Sequence, residues 1–159
     1  MQVKSRHHLR SDDVTDVERA VRDRLGVDLG GDTYELVEFE ETDWEVVLVD
    51  GEPLVAYFDD EPFLTVRGAN ATEPDDRLVI VDAGAVSFVS DGADVMRPGI
   101  TEVRGEVSAG DLVLIAEESH GKVLAVGRSR VDGDDLLGAE GKVVDSLHFV
   151  GDELYGFSG

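Results

Sequence analysis

Residues 81–100, which read VDAGAVSFVSDGADVMRPGI, decide how the C-terminal half of the chain folds. The side chain of Asp82 can cap a helix N-terminus, so a short helix of small residues is predicted over residues 83–90. Asp91-Gly92 closes this helix, because glycine adopts the left-handed conformation of a helix end at little steric cost. Pro98-Gly99 then forces a sharp turn. The segment therefore predicts a small helix followed by a bend.

Short apolar runs surround this helix in the sequence. They are bounded by turn residues and predict strands at residues 78–81, 112–116, 123–131 and 142–150. A Glu-Ser-His-Gly turn separates the second and third of these runs. Several short strands around one small helix predict a compact β-barrel.

An amphipathic helix is predicted near the N-terminus, after a short strand at residues 1–7. Ser11 offers an N-cap, and acids follow it in the first turn, where the helix dipole favours negative charge. Gly26 stands where a C-terminal cap belongs. The helix is therefore expected over residues 12–25. Its apolar side chains recur at spacings of three and four and share one face: Val14, Val17, Val21 and Leu25.

Three further runs, at residues 34–41, 44–50 and 53–59, predict an antiparallel meander, with Asp50-Gly51 as one of its turns. Residues 68–77 contain Gly, Asn, Thr, Pro and paired Asp without apolar periodicity, which is typical of a linker. A boundary near Pro74 follows. Two domains are therefore expected, at residues 1–74 and 75–159.

Residues 81–100 closely resemble the signature of PUA domains. They combine a Gly-Ala pair at the helix start, a second Gly-Ala pair after the helix and a Met-x-Pro-Gly-Ile run at fixed offsets. The runs at 125–127 and 147–149 fall where PUA sequences have their last strands. The first half, with its turn at residues 50–54 and Glu-Pro-Phe at 61–63, is similar to the pre-PUA domain of the malignant-T-cell-amplified-sequence and ligatin group of translation factors and their archaeal relatives.

This resemblance implies an α+β fold, with a small N-terminal α/β pre-PUA domain followed by a C-terminal PUA pseudo-β-barrel. It also implies a role in translation through contacts with tRNA and the small ribosomal subunit. In the PUA family the small helix and the loop after it receive RNA. The resemblance therefore implies RNA contacts at Gly84, Ser87, Gly92, Ala93, Met96, Arg97 and Pro98.

Two arginines in the predicted strand 123–131 form a further candidate site. By two-residue alternation, Arg128 and Arg130 point to the same side of the strand as Leu124 and Val126. Such a pair can clamp a phosphate, because guanidinium groups bind oxyanions in a bidentate manner. Ion pairing with the carboxylate-rich surface is the alternative.

Basic residues are concentrated at the N-terminus. Six of the fourteen lysines and arginines lie in the first 24 residues: Lys4, Arg6, Arg10, Arg19, Arg22 and Arg24. Those of the predicted helix can pair with acids one turn away. The sequence offers no such helical partners to the preceding group, which we regard as a candidate contact for ribosomal RNA or a partner protein: Lys4, Arg6, His7, His8 and Arg10.

The overall charge is strongly acidic, with 36 Asp and Glu against 14 Lys and Arg and a formal charge of −22. The acids occur in pairs along the whole chain, which is unlike an acidic tail and typical of proteins from concentrated salt, where self-repulsion is screened. We therefore expect a halophilic source, and the resemblance to the archaeal relatives of the translation factors implies an archaeal one. The chain has no cysteine and no apolar run long enough to cross a bilayer, so a cytoplasmic location without membrane contact is expected.

Motifs of catalysis are absent from the sequence. His7-His8 has the wrong spacing for a zinc site on a helix face, and Gly30-Gly31 lacks the lysine of a phosphate-binding loop. The acidic segment 131–135 lacks the spacing of an EF-hand loop. We therefore predict a protein that is not an enzyme and binds no metal or cofactor.

Three functions remain open at this point. The first is an RNA-binding translation or ribosome-associated factor that recognises tRNA or small-subunit rRNA. The second is an accessory RNA-binding subunit of a tRNA or rRNA modification enzyme. The third is a protein-interaction module whose pre-PUA domain docks a partner initiation factor.

Overall fold

The computed structural model describes all residues from Met1 to Gly159, and they form two compact units. The first unit comprises Met1–Pro74 together with Glu153–Gly159, and the second comprises Asp75–Asp152. Residues 153–159, which the sequence assigns to the second domain, pack with the first unit in the structure.

The first unit is built on a five-stranded antiparallel sheet with the strand order β1-β2-β3-β4-β5. Helix α1 precedes β2, α2 follows β5, and the short helix α4 comes from the C-terminal segment. Because every strand pairs with its neighbour in the chain, β1 is left at one edge of the sheet. The elements are β1 (Val3–His8), α1 (Ser11–Leu25), β2 (Tyr34–Phe39), β3 (Glu45–Val49), β4 (Glu52–Phe58), β5 (Glu61–Leu64), α2 (Val66–Thr72) and α4 (Glu153–Gly156).

Helix α1 follows its predicted apolar stripe, since Val17, Val21 and Leu25 are all buried. Gly26 ends the helix in the left-handed conformation, at φ 69°, as predicted. The prediction of Ser11 as the N-cap is wrong. Arg10 occupies that position without a side-chain cap, and Ser11 is the first helical residue.

The linker predicted at residues 68–77 is in part a helix. Thr65 caps α2 by accepting a hydrogen bond from the amide of Gly68 at 2.9 Å. Gly68 and Ala69 are buried, and Gly68 approaches β4 so closely that a Cβ atom there would lie 2.8 Å from the carbonyl carbon of Leu54. Small side chains here reflect close packing rather than a flexible connection.

The C-terminal segment completes the first unit. The ring of Phe157 packs edge-on against Phe39, with 4.9 Å between the centroids. The guanidinium of Arg67 donates to the carbonyl of Tyr155 at 2.8 Å and to that of Phe157 at 3.3 Å, and it lies over the Tyr155 ring. An apolar contact and a charged donor together hold the segment in place.

The second unit is a curled half-barrel with the strand order β7-β11-β10-β9-β6-β8. β6 and β9 are parallel, and the other neighbouring pairs are antiparallel. Its core contains Val79, Ile115, Leu136 and Val144. The elements are β6 (Leu78–Val81), α3 (Ala83–Ser90), β7 (Val95–Met96), β8 (Ile100–Arg104), β9 (Leu112–Glu117), β10 (Val123–Ser129) and β11 (Lys142–Phe149), with one-turn 3-10 helices at Arg97–Gly99 and Gly133–Asp135.

The helices of the chain are short, and α1 is the longest at 15 residues. No helix has the combination of length and apolar character that crossing a membrane requires.

Candidate nucleic-acid interface

Helix α3 begins as the sequence predicts. The carboxylate of Asp82 accepts a hydrogen bond from the amide of Ala85 at 3.0 Å, which fixes the first turn. Val89 turns into the core, whereas the ring of Phe88 is 66% exposed. A large exposed aromatic side chain on a short, well-capped helix is a ready stacking surface.

The end of α3 depends on a glycine that no other residue replaces easily. Gly92 has φ +94°, and a Cβ atom there would lie 2.7 Å from the ring of Phe149. The amide of Ala93 then donates to the carbonyl of Phe88 at 3.0 Å, so that the chain folds back under the helix. This close approach explains the second Gly-Ala pair of the signature.

A cleft of about 770 Å³ opens between α3, the loop after it, β7 and the turn at Pro98. Five of the residues implied by the resemblance line it, namely Gly84, Gly92, Ala93, Met96 and Pro98. Ser87 and Arg97 do not line it. The resemblance does not imply the other lining residues, which are Asp82, Ala85, Phe88, Val89, Asp94, Val95, Gly99 and Lys142.

One ion pair marks the rim of this cleft. The ammonium of Lys142 lies 3.1 Å from the carboxylate of Asp94, which also accepts a hydrogen bond from the amide of Ser146 at 2.7 Å. The Ser146 amide, and then Lys142, hold the pKa of Asp94 below its usual value. Lys142 is the single cation among the lining residues, and it already has an anionic partner. The cleft therefore offers mainly an apolar surface.

Arg97 is turned away from the cleft and holds a neighbouring loop. Its Nε donates to the carbonyl of Asp135 at 2.8 Å, and its Nη1 donates to that of Glu140 at 2.9 Å. Its backbone amide donates to the carbonyl of Gly141 at 2.8 Å. A Cβ atom at Gly138 would lie 2.9 Å from Cδ of Arg97, so glycine lets the loop close over this side chain.

Replacing Arg97 by alanine is expected to loosen the loop at residues 133–141. The carbonyls of Asp135 and Glu140 both lose a charged donor. Because the site is partly exposed, the free energy of unfolding should fall by only about 1 kcal/mol. Amide hydrogen exchange should accelerate in this loop. Lys122→Ala is the control, because Lys122 is exposed and its side chain makes no ion pair or hydrogen bond. Unchanged exchange in the loop of the Arg97 variant would contradict this role.

Arg128 and Arg130 are both engaged within the second unit. Nη1 of Arg128 donates to the carbonyl of Gly110 at 2.7 Å, and Nε of Arg130 donates to Asp145 at 2.9 Å. The pairing of β10 with both neighbours shifts in register, and Val123 to Gly127 are buried without alternation. Simple alternation therefore does not describe this strand, and Arg130 forms the ion pair that was the alternative to a phosphate clamp.

The N-terminal basic residues lie on and just beyond β1. Nε of Arg6 donates to Glu35 at 3.0 Å, and this hydrogen bond lowers the pKa of Glu35. Lys4, His7, His8 and Arg10 are exposed. The structure places this group in the first unit, whereas the cleft belongs to the second.

No group of three or more His, Asp and Glu side chains is arranged to hold a metal ion. His148, which is fully buried, instead has its Nδ1 2.8 Å from the carboxylate of Asp152. The same carboxylate accepts a hydrogen bond from the amide of Phe149 at 3.0 Å. Asp152 thus holds the turn that follows β11 against the end of that strand.

Comparison with known proteins agrees with this architecture. Residues 77–151 match the family model of the PUA domain. The uncharacterized protein MJ1432 of Methanocaldococcus jannaschii is 38% identical over 118 residues, which cover 74% of this chain and 73% of that protein. Translation machinery-associated protein 20 of Saccharomyces cerevisiae is 29% identical over 117 residues; the match covers 69% of this chain and 65% of the yeast protein, just under two thirds of its length.

A solved structure extends the likeness to both units. The hypothetical protein PH0734.1 from Pyrococcus horikoshii has a TM-score of 0.87 at 29% identity, and the match covers 98% of this chain and 100% of that one. The chain therefore belongs to the family of PUA-domain proteins. Within this family it is related to archaeal PUA proteins and to the translation machinery-associated protein 20 and malignant T-cell-amplified sequence homologues, which confirms the resemblance and the α+β fold class.

Proposed function

We propose that this protein is a non-enzymatic, cytoplasmic RNA-binding factor that works with the translation machinery and recognises tRNA or small-subunit rRNA through the cleft beside α3. The observation that carries the proposal is the exposed ring of Phe88 at an apolar cleft in a PUA domain. The similarity to translation machinery-associated protein 20 supports the translation role over RNA modification.

The charge of the protein determines how such binding would work. Proteins normally gain affinity for RNA when lysines and arginines release counterions from phosphates. Here the formal charge is −22, and the one cation lining the cleft is paired with Asp94. Affinity therefore depends on stacking and shape, and unpaired bases are the parts of RNA that can stack on an aromatic side chain.

The residues implied by the resemblance divide into two roles under this proposal. Gly84, Gly92, Ala93, Met96 and Pro98 shape the cleft and contact the base, with Phe88 added to them. The remaining four act outside the cleft, either on the RNA backbone or in holding loops: Ser87, Arg97, Arg128 and Arg130.

Crosslinking in the producing cells, followed by sequencing of the bound RNA, tests the proposal. Enrichment of tRNA or small-subunit rRNA that disappears in Phe88→Ala would support it. Enrichment confined to RNAs at their modification sites would favour an accessory subunit of a modification enzyme. No enrichment over an untagged control would overturn RNA binding and favour a protein-interaction module.

A further inference from the structure

Two lysine and arginine side chains without a partner lie on and just after β1, namely Lys4 and Arg10. Of the fourteen lysines and arginines, ten make ion pairs or side-chain hydrogen bonds. The other four side chains make none, and three of these belong to the first unit: Lys4, Arg10 and Arg19, with Lys122 in the second unit.

Strand β1 also has a free backbone edge. It pairs with β2 on one side and is the last strand of the sheet on the other. The amide of Leu9 donates to the carbonyl of Tyr34 at 2.9 Å, so the backbone groups of Leu9 point inward, toward β2. Along an antiparallel edge strand, residues whose backbone groups point toward the neighbouring strand alternate with residues whose groups point to the free edge. The amides and carbonyls of Arg6 and His8 therefore point outward, away from β2. These groups can pair with one added strand.

The side chains beside this edge specify the charge of the occupant. Residues 1–10 contain Lys4, Arg6 and Arg10 and no acid, a formal +3, so the remaining 149 residues carry −25. An added strand at β1 would therefore lie beside a stretch of the chain with net positive charge. Pairing of two copies through β1 is disfavoured, because it would place like charges opposite each other.

The backbone groups of this edge favour a peptide over RNA. Glu35 and Glu38 lie on β2. Asp12 and Asp13 lie in the first turn of α1, shortly after Arg10. The carboxylates of Glu35 and Glu38 accept hydrogen bonds from Arg6 and Ser5 of β1, so the Glu35 charge is already paired. A single peptide strand about 4.8 Å from β1 can pair with the outward amides and carbonyls of this edge, whereas the phosphate backbone of an RNA has no amide donors with which to do so.

We propose that the outer edge of β1 binds an extended acidic segment of a partner protein, which adds a sixth strand to the sheet. Carboxylates at alternate positions of that segment face Lys4, His8 and Arg10, and its backbone bonds to the outward groups of Arg6 and His8. This surface and the cleft beside α3 are made of different residues, so the proposal for one can be wrong while the proposal for the other is right.

The test is an NMR titration of the full chain with a short capped peptide of alternating glutamate and valine. Amide shifts should be confined to β1 and its neighbours in β2. The same peptide with lysine in place of glutamate should cause none. Lys4→Glu with Arg10→Glu should weaken binding about tenfold, because two exposed pairs become repulsive.

The matched control for that charge change is Arg19→Glu with Lys122→Glu. These residues are also exposed and unpaired but lie away from β1, so the affinity should change less than about twofold. His8→Pro removes one outward amide and should weaken binding about fivefold. Hydrogen exchange of the Arg6 and His8 amides in the unaltered protein, which should slow with peptide, covers the case in which this variant does not fold.

Three results would overturn the proposal. Equal weakening by both charge reversals would mean that binding follows overall charge. Tighter binding of an unstructured RNA oligomer at β1, unaffected by His8→Pro, would mean that the edge is a nucleic-acid surface. Absence of shifts would mean that the charges on β1 serve only to prevent pairing of the free edge.

Discussion

Replacing Gly68 by alanine is expected to destabilise the first unit by about 3–5 kcal/mol, a large part of the net stability of about 5–15 kcal/mol typical of a folded protein. The added Cβ would overlap the carbonyl oxygen of Leu54 and lie 2.8 Å from its carbonyl carbon. These are backbone atoms of β4, so no side chain can move aside. Helix α2 would have to leave the sheet.

Urea unfolding followed by tryptophan fluorescence measures this loss. Trp44 is the one tryptophan of the chain, and it lies in the first unit against Phe58, with ring centroids 5.4 Å apart. Gly156→Ala is the control, because an added Cβ there meets nothing within 4 Å. An unchanged unfolding midpoint in Gly68→Ala would show that α2 does not contact β4 as described.

Replacing Phe88 by alanine is expected to weaken binding of a single-stranded RNA oligomer by about 5-fold to about 150-fold, because stacking of one base is worth about 1–3 kcal/mol. The ring is 66% exposed, so the folded state loses little contact and the stability should change by less than about 0.5 kcal/mol. Fluorescence anisotropy with labelled RNA measures the affinity. The ratio between the two proteins should persist at about 1 M salt, because stacking is not screened.

The control for Phe88 is Leu137→Ala. Leu137 is also a large exposed apolar residue, at 51%, but it does not line the cleft. Its loss should leave RNA affinity unchanged. Equal effects of the two substitutions, or none from either, would remove Phe88 from the site.

Local signals in the sequence were sufficient for α3 and much of the strand pattern. Asp82 caps the helix and Gly92 ends it, and both effects act within one turn. Helix α2 was missed because its glycine, Gly68, is required by a tertiary contact with the backbone of β4, which a local sequence pattern does not show. Composition alone does not separate a tightly packed helix from a linker.

Residues of the candidate site were harder to predict than the fold. The sequence shows that Arg97 and Arg130 are charged, but their carbonyl and carboxylate partners come from other segments. Phe88 was missed for a related reason. In a helix of small apolar residues, periodicity does not show which side faces the core. The sequence therefore does not show whether the ring of Phe88 is exposed or buried.

The return of residues 153–159 to the first unit affects how the chain folds as it leaves the ribosome. A polypeptide is synthesised from its N-terminus, so the second unit is complete before Phe157 and the carbonyls that Arg67 binds have been made. The half that is translated first is therefore finished last. During that interval Phe39 lacks its aromatic partner, and the nascent sheet has an uncovered apolar position that chaperones can recognise.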